Sequence, residues 1–143
     1  MANVEVSREL VFTGADLARP RMVVEQEKMR AKFPGFQFYG SGGNVSSVQG
    51  YLTTSDRNRY YVKVIVSSSY PYALPTIELP QHAIDSDCPH KYMSGAICVM
   101  KSEQWSSTYS LAFVVARAAV WLNKYDLWRR TGRVRWPGND QHR

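Results

Sequence analysis

The sequence predicts an α+β fold in which a helix, a four-stranded antiparallel meander, a long loop and further helical structure follow one another. Three observations carry this prediction. Apolar residues recur at helical spacing near both ends, short alternating segments between turn residues fill the middle, and residues 80–108 show no periodicity. The chain has 143 residues, 44% of them hydrophobic, so we expect a single domain over residues 1–143 with its own core.

The first predicted element is an N-terminal helix over residues 16–32. Pro20 fits its first turn, where a missing backbone N–H costs little. Val23, Val24 and Met29 supply a partial apolar stripe. Because the residue before a proline avoids the helical region, the Phe-Pro-Gly sequence that begins at residue 33 should end this helix.

Four short segments then have strand character: residues 36–39, 45–54, 60–66 and 76–79. The third is the clearest, because its β-branched and aromatic residues alternate with a period of two. Turn residues at 40–44 and 55–58 separate the first three, and Gly50 suggests a bulge in the second. Strands joined by such short turns favour an antiparallel meander.

The long irregular stretch holds both cysteines, Cys88 and Cys98, and two of the three histidines. Loops of this length in a compact domain are usually functional. A helical period returns after Tyr109 in a core-facing stripe of Leu111, Val114, Val115, Ala118 and Leu122.

The net charge of +6 first suggests nucleic acid, but its distribution argues otherwise. The only dense basic patch is Arg129, Arg130, Arg133 and Arg135, which we interpret as a surface for a protein partner. The glycines at 40–43 lack P-loop spacing. We therefore expect no specific nucleic acid and no membrane partner, since the longest apolar run, 111–116, cannot span a bilayer. The start of the chain lacks a signal-peptide pattern, so we expect a cytoplasmic protein with reduced cysteines.

Four local motifs follow in a fixed order: Tyr-Pro with a later proline (70–75), Cys-Pro-His (88–90), Gly-Ala-Ile-Cys (95–98) and Trp-Ser-Ser-Thr-Tyr (105–109). In order and spacing they resemble the ubiquitin-conjugating-enzyme-like (UBC-like) family. The resemblance implies that family's fold, with an N-terminal helix, a four-stranded meander, a long active-site loop and C-terminal helices.

The resemblance also implies site residues. Cys98 takes the position of the catalytic cysteine that carries an acyl group as a thioester. His90 takes the position of the asparagine proposed to stabilise the oxyanion, and an imidazole N–H can also donate to an oxyanion. Unlike an amide, it can act as a base as well. Asp126 follows the predicted helix, where the family sometimes carries an accessory acid that helps to activate the incoming amine.

The departure from His-Pro-Asn to Cys-Pro-His, and the Trp-Pro-Gly tail at 136–138, resemble the prokaryotic branch. The nearest likeness is to the conjugating protein of CBASS, cyclic-oligonucleotide-based antiphage signalling. That likeness implies a partner, the C-terminal tail of a cGAS-like nucleotidyltransferase (CD-NTase). Activation of that tail would come from a separate activating enzyme or be bypassed, and the sequence leaves both open. Two alternatives stay open: a conjugating enzyme of another bacterial ubiquitin-like system, and a non-catalytic UBC-like adaptor.

Simpler roles compete for the same residues. Cys98 lies between apolar neighbours and would suit a buried core position, and His90 could merely pack in the loop. His82, Cys88, His90 and Cys98 could supply four zinc ligands, but their spacings of six, two and eight are not those of paired zinc knuckles. We expect no metal and no cofactor, a structural role for Cys88 and His82, and packing roles for Tyr60, Tyr61, Tyr70, Tyr72 and Tyr92.

Overall fold

The computed structural model describes residues 8–138. In chain order the elements are α1 (Gly14–Leu17), α2 (Arg21–Lys32), β1 (Gln37–Ser41), β2 (Asn44–Thr53), β3 (Arg59–Ile65), β4 (Thr76–Glu78) and α3 (Leu111–Arg130), with short 3-10 helices at Arg8–Leu10 and Ser102–Gln104. The strands form one antiparallel sheet in the order β1-β2-β3-β4. The predicted α+β class and four-stranded antiparallel meander are confirmed.

The first helix is not continuous, and the prediction of one helix over residues 16–32 is wrong. Thr13 caps α1 in a capping box with Asp16, and α1 ends at Leu17. Pro20 is the residue before α2 and has an extended ψ of 129°. Pro20 lacks a backbone N–H and keeps the preceding residue out of the helical conformation. It therefore separates two helices and does not lie in the first turn of a single one.

The alternation predicted for the third strand is confirmed, because Tyr60, Val62 and Val64 of β3 are buried and the residues between them are more exposed. The predicted bulge is wrong in position. Gly50 pairs regularly with Val62, and a Cβ there would lie 2.6 Å from the ring of a neighbouring phenylalanine. The register shift lies instead at Gly40, where a Cβ would approach a backbone oxygen to 1.8 Å.

The two long helices meet at a buried carboxylate. Glu25 of α2 is fully buried and accepts hydrogen bonds from the Leu111 amide (2.8 Å), the Tyr70 hydroxyl (2.5 Å) and Arg21 Nε (3.0 Å). Burial raises the pKa of Glu25, against the opposing effect of these donors. The carboxylate fixes the start of α3, which packs against α2 and the sheet.

Among the described residues, one α-helix follows the loop, whereas the resemblance implied C-terminal helices in the plural. α3 ends before Gly132, whose φ of +97° suits only glycine well, and the remaining chain turns back irregularly. This segment, residues 131–138, is called the tail below. No helix of the described chain is long and apolar enough to cross a membrane.

Candidate active site

Cys98 lies on one arm of a short hairpin within the long loop. Lys91 and Ile97 form an antiparallel bridge, and the Cys98 amide donates a 2.8 Å hydrogen bond to the His90 carbonyl. Ile97 also bridges to Ile77 of β4, and its amide donates to the Ile77 carbonyl at 2.9 Å. The hairpin is thus attached to the edge of the sheet, which gives Cys98 a fixed backbone position.

A tight turn closes the hairpin and determines which side chains share a face. The Tyr92 amide donates to the Ala96 carbonyl at 2.8 Å, and the Gly95 amide donates to the Tyr92 carbonyl at 2.9 Å. Gly95 has a φ of +96°, which glycine adopts readily. Because side chains alternate along paired strands, Tyr92 and Cys98 lie on the same face.

This face borders a cleft of about 1010 Å³. The walls come from the hairpin, from residues 101–103 and from tail residues 134–136. Cys98 is partly exposed in the cleft, so the alternative of a fully buried core cysteine does not apply. Three lining side chains, Lys91, Lys101 and Arg135, are cationic, and one, Glu103, is acidic. The charged side chains of the cleft lining therefore sum to a net positive charge.

The Cys98 sulfur has two polar neighbours. Its thiol donates to the Met100 carbonyl at 3.6 Å, and the Tyr92 hydroxyl lies near enough to Cys98 to interact with it. The interaction with Cys98, together with partial burial, raises the pKa of Tyr92 to about 12. Sequence reasoning assigned Tyr92 to packing. Reading Gly95 as a turn glycine would have paired Tyr92 with Ala96 and placed it on the face of Cys98.

His90 has a left-handed backbone, with a φ of +59°. Its carbonyl accepts from the Cys98 amide and, at 3.0 Å, from Trp121 Nε1. Asparagine and histidine are both enriched in this conformation among residues other than glycine. The histidine therefore suits the backbone position at which the UBC-like pattern carries asparagine, and its side chain lines the cleft beside Cys98.

The tail supplies an aromatic wall behind His90. Trp136 is buried, and its ring centroid lies 5.2 Å from that of His90, 5.3 Å from Trp121 and 6.3 Å from Trp128. Such aromatic contacts orient rings as well as bury them. The imidazole therefore packs against the tail, a segment more than forty residues further along the sequence.

The basic patch predicted as one partner surface is mostly paired within the chain. Arg133 Nε lies 2.7 Å from an Asp85 carboxylate oxygen, and Arg129 Nε lies 3.6 Å from the same oxygen. Arg130 pairs with Asp56 at 3.2 Å. These bridges attach the tail and the end of α3 to two loops, and the remaining arginine of the patch lines the cleft.

Arg117 of α3 supports the backbone next to the cysteine. Its Nη2 donates to the Val99 carbonyl at 3.1 Å, while its buried Nε has no hydrogen-bond partner in the described chain. Arg117 borders a small space with Cys98 and His90. A guanidinium therefore lies near the cysteine.

A comparison with known protein families narrows the UBC-like resemblance to one family. Residues 25–143 match the family of type II CBASS E2 proteins, from within α2 to the end of the chain. The chain belongs to this family. No curated protein matches it. Membership confirms the resemblance to CBASS conjugating proteins and implies an E2-like conjugating role with a protein partner in a CBASS operon.

The second cysteine of this CBASS E2 protein is buried. Cys88 donates to the Pro89 carbonyl at 3.1 Å. Burial, with smaller contributions from the charges of Asp85 and Asp87, raises the pKa of its thiol to about 12. A thiol of this kind carries almost no thiolate at neutral pH, so Cys88 is a poor nucleophile.

Asp126 does not follow α3, as predicted, but lies within it, and it is absent from the described cleft lining. Its buried carboxylate accepts from the Thr54 hydroxyl at 2.5 Å and the Tyr60 hydroxyl at 2.6 Å. This network joins α3 to β3 and the turn before it. The accessory catalytic role stays a prediction, and the structure does not bring Asp126 together with Cys98 and His90 in the cleft.

The network makes a stability prediction. In Asp126→Ala the hydroxyls of Thr54 and Tyr60 lose their buried acceptor, so we expect the free energy of unfolding to fall by about 2–4 kcal/mol, measured by urea denaturation. Asp126→Asn, which keeps one acceptor oxygen, should lose less. An Asp126→Asn protein of full stability that discharges an acyl group slowly would instead support the accessory role.

The zinc alternative receives no support from the described residues, 8–138, which contain no group of three or more His, Cys, Asp or Glu side chains placed to hold a metal ion. His82, one of the four candidate ligands, packs against Tyr60, with ring centroids 4.7 Å apart.

Proposed function

We propose that this CBASS E2 protein is a transferase in antiviral defence that carries the C-terminus of a protein partner as a thioester on Cys98 and then transfers or holds it. We propose a CD-NTase of the same system as that partner, and a UBC-like domain over residues 1–143. One observation carries the proposal: the only partly exposed cysteine of the described chain lies on a fixed hairpin, in a cleft that it shares with His90.

Loading requires an activated acyl donor. The Cys98 thiolate attacks the carbonyl carbon of the activated C-terminus, a carbon–sulfur bond forms, and the activating group leaves with its electron pair. A free carboxylate is too poor an electrophile for this step. We propose that a separate activating enzyme supplies the donor.

In the discharge step the Cys98 sulfur is the leaving group, whereas in the loading step it is the nucleophile. An amine attacks the thioester carbonyl, the oxygen becomes an oxyanion, and the carbon–sulfur bond then breaks as Cys98 leaves as a thiolate. The proton of the amine passes to solvent. We propose that the His90 N–H donates to the oxyanion, because a fixed donor acts most strongly where charge develops. Trp136 keeps the imidazole oriented for this purpose.

The shape and charge of the cleft support an extended peptide as the acyl group. Its walls come from three chain segments, and its cationic lining favours a tail that carries acidic residues near its C-terminus. An extended, flexible C-terminal tail can reach the sulfur without requiring the folded part of the partner to enter the cleft.

The test combines the full chain with a CD-NTase and an activating source, followed by a non-reducing gel. We expect an adduct that DTT and neutral hydroxylamine both release, with mass spectrometry placing the acyl group on Cys98. Hydroxylamine sensitivity separates a thioester from a disulfide. Deleting the CD-NTase tail should abolish the adduct, whereas shortening an exposed internal loop of the CD-NTase should preserve it.

The other candidate functions give different results. An adduct that forms with another ubiquitin-like protein but never with a CD-NTase would replace the proposed partner. Stable binding of the CD-NTase without any covalent adduct, in the presence of a working activating source, would indicate the non-catalytic adaptor and contradict the acyl-carrier proposal.

A further inference from the structure

Tyr92 is the side chain of the hairpin whose polar group can reach the Cys98 sulfur. The backbone places it there: the Tyr92 amide pairs with Ala96, Cys98 pairs with His90, and alternation brings Tyr92 and Cys98 onto one face as diagonal neighbours. Diagonal neighbours across an antiparallel pair lie within reach of a long aromatic side chain. Both residues line the same cleft.

The direction of the hydrogen bond follows from the second partner of the sulfur. The Cys98 thiol already donates to the Met100 carbonyl. Its sulfur lone pairs then remain as the acceptor that the neighbouring Tyr92 hydroxyl could use. The hydroxyl keeps its proton at neutral pH, because the pKa of Tyr92 is raised to about 12.

We propose that Tyr92 is a catalytic residue: its hydroxyl donates a hydrogen bond to the Cys98 sulfur and stabilises the anion that this sulfur becomes. Its effect on free Cys98 is independent of any partner. Its effect on acyl transfer rests on the proposed function, because there the same anion attacks during loading and leaves during discharge.

The step needs no additional reactant. During discharge the carbon–sulfur bond breaks and its electron pair goes to the sulfur, while the Tyr92 O–H bond stays intact and only its hydrogen bond shortens. A hydrogen bond to a charged acceptor is stronger than one to a neutral acceptor. Tyr92 therefore favours the state with the broken carbon–sulfur bond over the thioester ground state.

The experiment compares Tyr92→Phe with the unmodified chain by alkylation of Cys98 with iodoacetamide, with Cys98 labelling quantified by mass spectrometry. Phenylalanine keeps the ring and removes only the donor. Losing a hydrogen bond to an anion lowers the thiolate population by about tenfold, but a less stabilised thiolate is also more nucleophilic. We expect alkylation about threefold slower at pH 7 and about threefold faster at pH 10.5, where free thiols are ionised.

Tyr72→Phe is the matched control. Tyr72 is 82% exposed and borders the neighbouring cleft, not the one that contains Cys98. It should leave the rates at both pH values unchanged. A disturbed hairpin in Tyr92→Phe would change both rates in the same direction, so the crossover distinguishes a hydrogen bond to sulfur from a merely structural role.

Measurements with the partner then distinguish the proposed role of Tyr92 from the proposed thioester function of Cys98. With a preformed thioester, Tyr92→Phe should discharge to a small amine about tenfold more slowly. Equal alkylation rates at both pH values for Tyr92→Phe and the unmodified chain would overturn the role of Tyr92 and leave the thioester proposal intact. Tyr92→Phe could show the crossover in alkylation rates while the unmodified chain forms no covalent adduct with the partner. That outcome would support the hydrogen bond and contradict the acyl-carrier function.

Discussion

Cys98→Ala should reduce the covalent adduct with the partner from readily visible to undetectable on a non-reducing gel, because the atom that forms the carbon–sulfur bond is removed. The substitution should scarcely affect folding, since Cys98 is partly exposed and its thiol donates only a weak hydrogen bond to the Met100 carbonyl. Circular dichroism and urea denaturation check that the variant is folded. A hydroxylamine-sensitive adduct that persists in Cys98→Ala would exclude Cys98 as the carrier.

Cys98→Ser refines the same experiment. A serine hydroxyl in the same place would form an oxygen ester, which DTT does not release and alkali does. An adduct with this altered sensitivity would identify the side chain at position 98 as the point of attachment. It would also show that the cleft still binds the partner's activated C-terminal tail when the sulfur is replaced.

Cys88→Ala is the matched control for both variants. Cys88 is buried, and its raised pKa, about 12, leaves little thiolate at neutral pH. Cys88→Ala should therefore form the adduct at the normal rate while losing about 1–2 kcal/mol of stability from the small cavity. Loss of the adduct in a folded Cys88→Ala protein would contradict this division of roles between the cysteines.

The sheet could be predicted from the sequence because its signals are local. β3 alternates apolar and polar residues with a period of two, and the stripe of α3 has a helical period, so burial on one face follows from spacing alone. The break at Pro20 is a different case. Whether a proline opens a helix or separates two helices depends on how the preceding segment packs.

The hairpin around Cys98 could not be predicted from periodicity. It is held by single backbone bridges from Ile97 to Lys91 and to Ile77, and by the turn at Gly95. The motifs located Cys98 and His90 but gave no reason for Tyr92 or Trp136 to be near them. Trp136 reaches His90 only after α3 has ended and the tail has turned back. The Trp136 contact depends on long-range packing, which a single sequence does not encode in any short pattern, whereas the position of Tyr92 follows from the turn at Gly95.

The second large effect concerns His90. His90→Ala should form the thioester but discharge it to an amine about a hundredfold more slowly or worse, as expected when one donor to an oxyanion is lost. A single-turnover assay, in which the loaded protein is separated from the activating source before the amine is added, measures discharge alone. Unchanged discharge would contradict the role of His90, and loss of loading together with discharge would point to a damaged cleft.

The left-handed backbone at His90 complicates the alanine variant, because alanine at a φ of +59° costs about 1–2 kcal/mol. His90→Gly adopts that conformation without strain and still lacks the donor. If both variants discharge slowly, the defect comes from the missing imidazole. If only His90→Ala is slow, it comes from displacement of the backbone that holds the Cys98 amide.

His90→Asn separates the two chemical roles of the imidazole. Asparagine tolerates the left-handed conformation and can donate an amide N–H to the oxyanion, but it cannot accept a proton as a base. Discharge close to that of the unmodified chain would mean that hydrogen-bond donation is sufficient. Discharge as slow as in His90→Gly would mean that the imidazole also removes the proton from the amine.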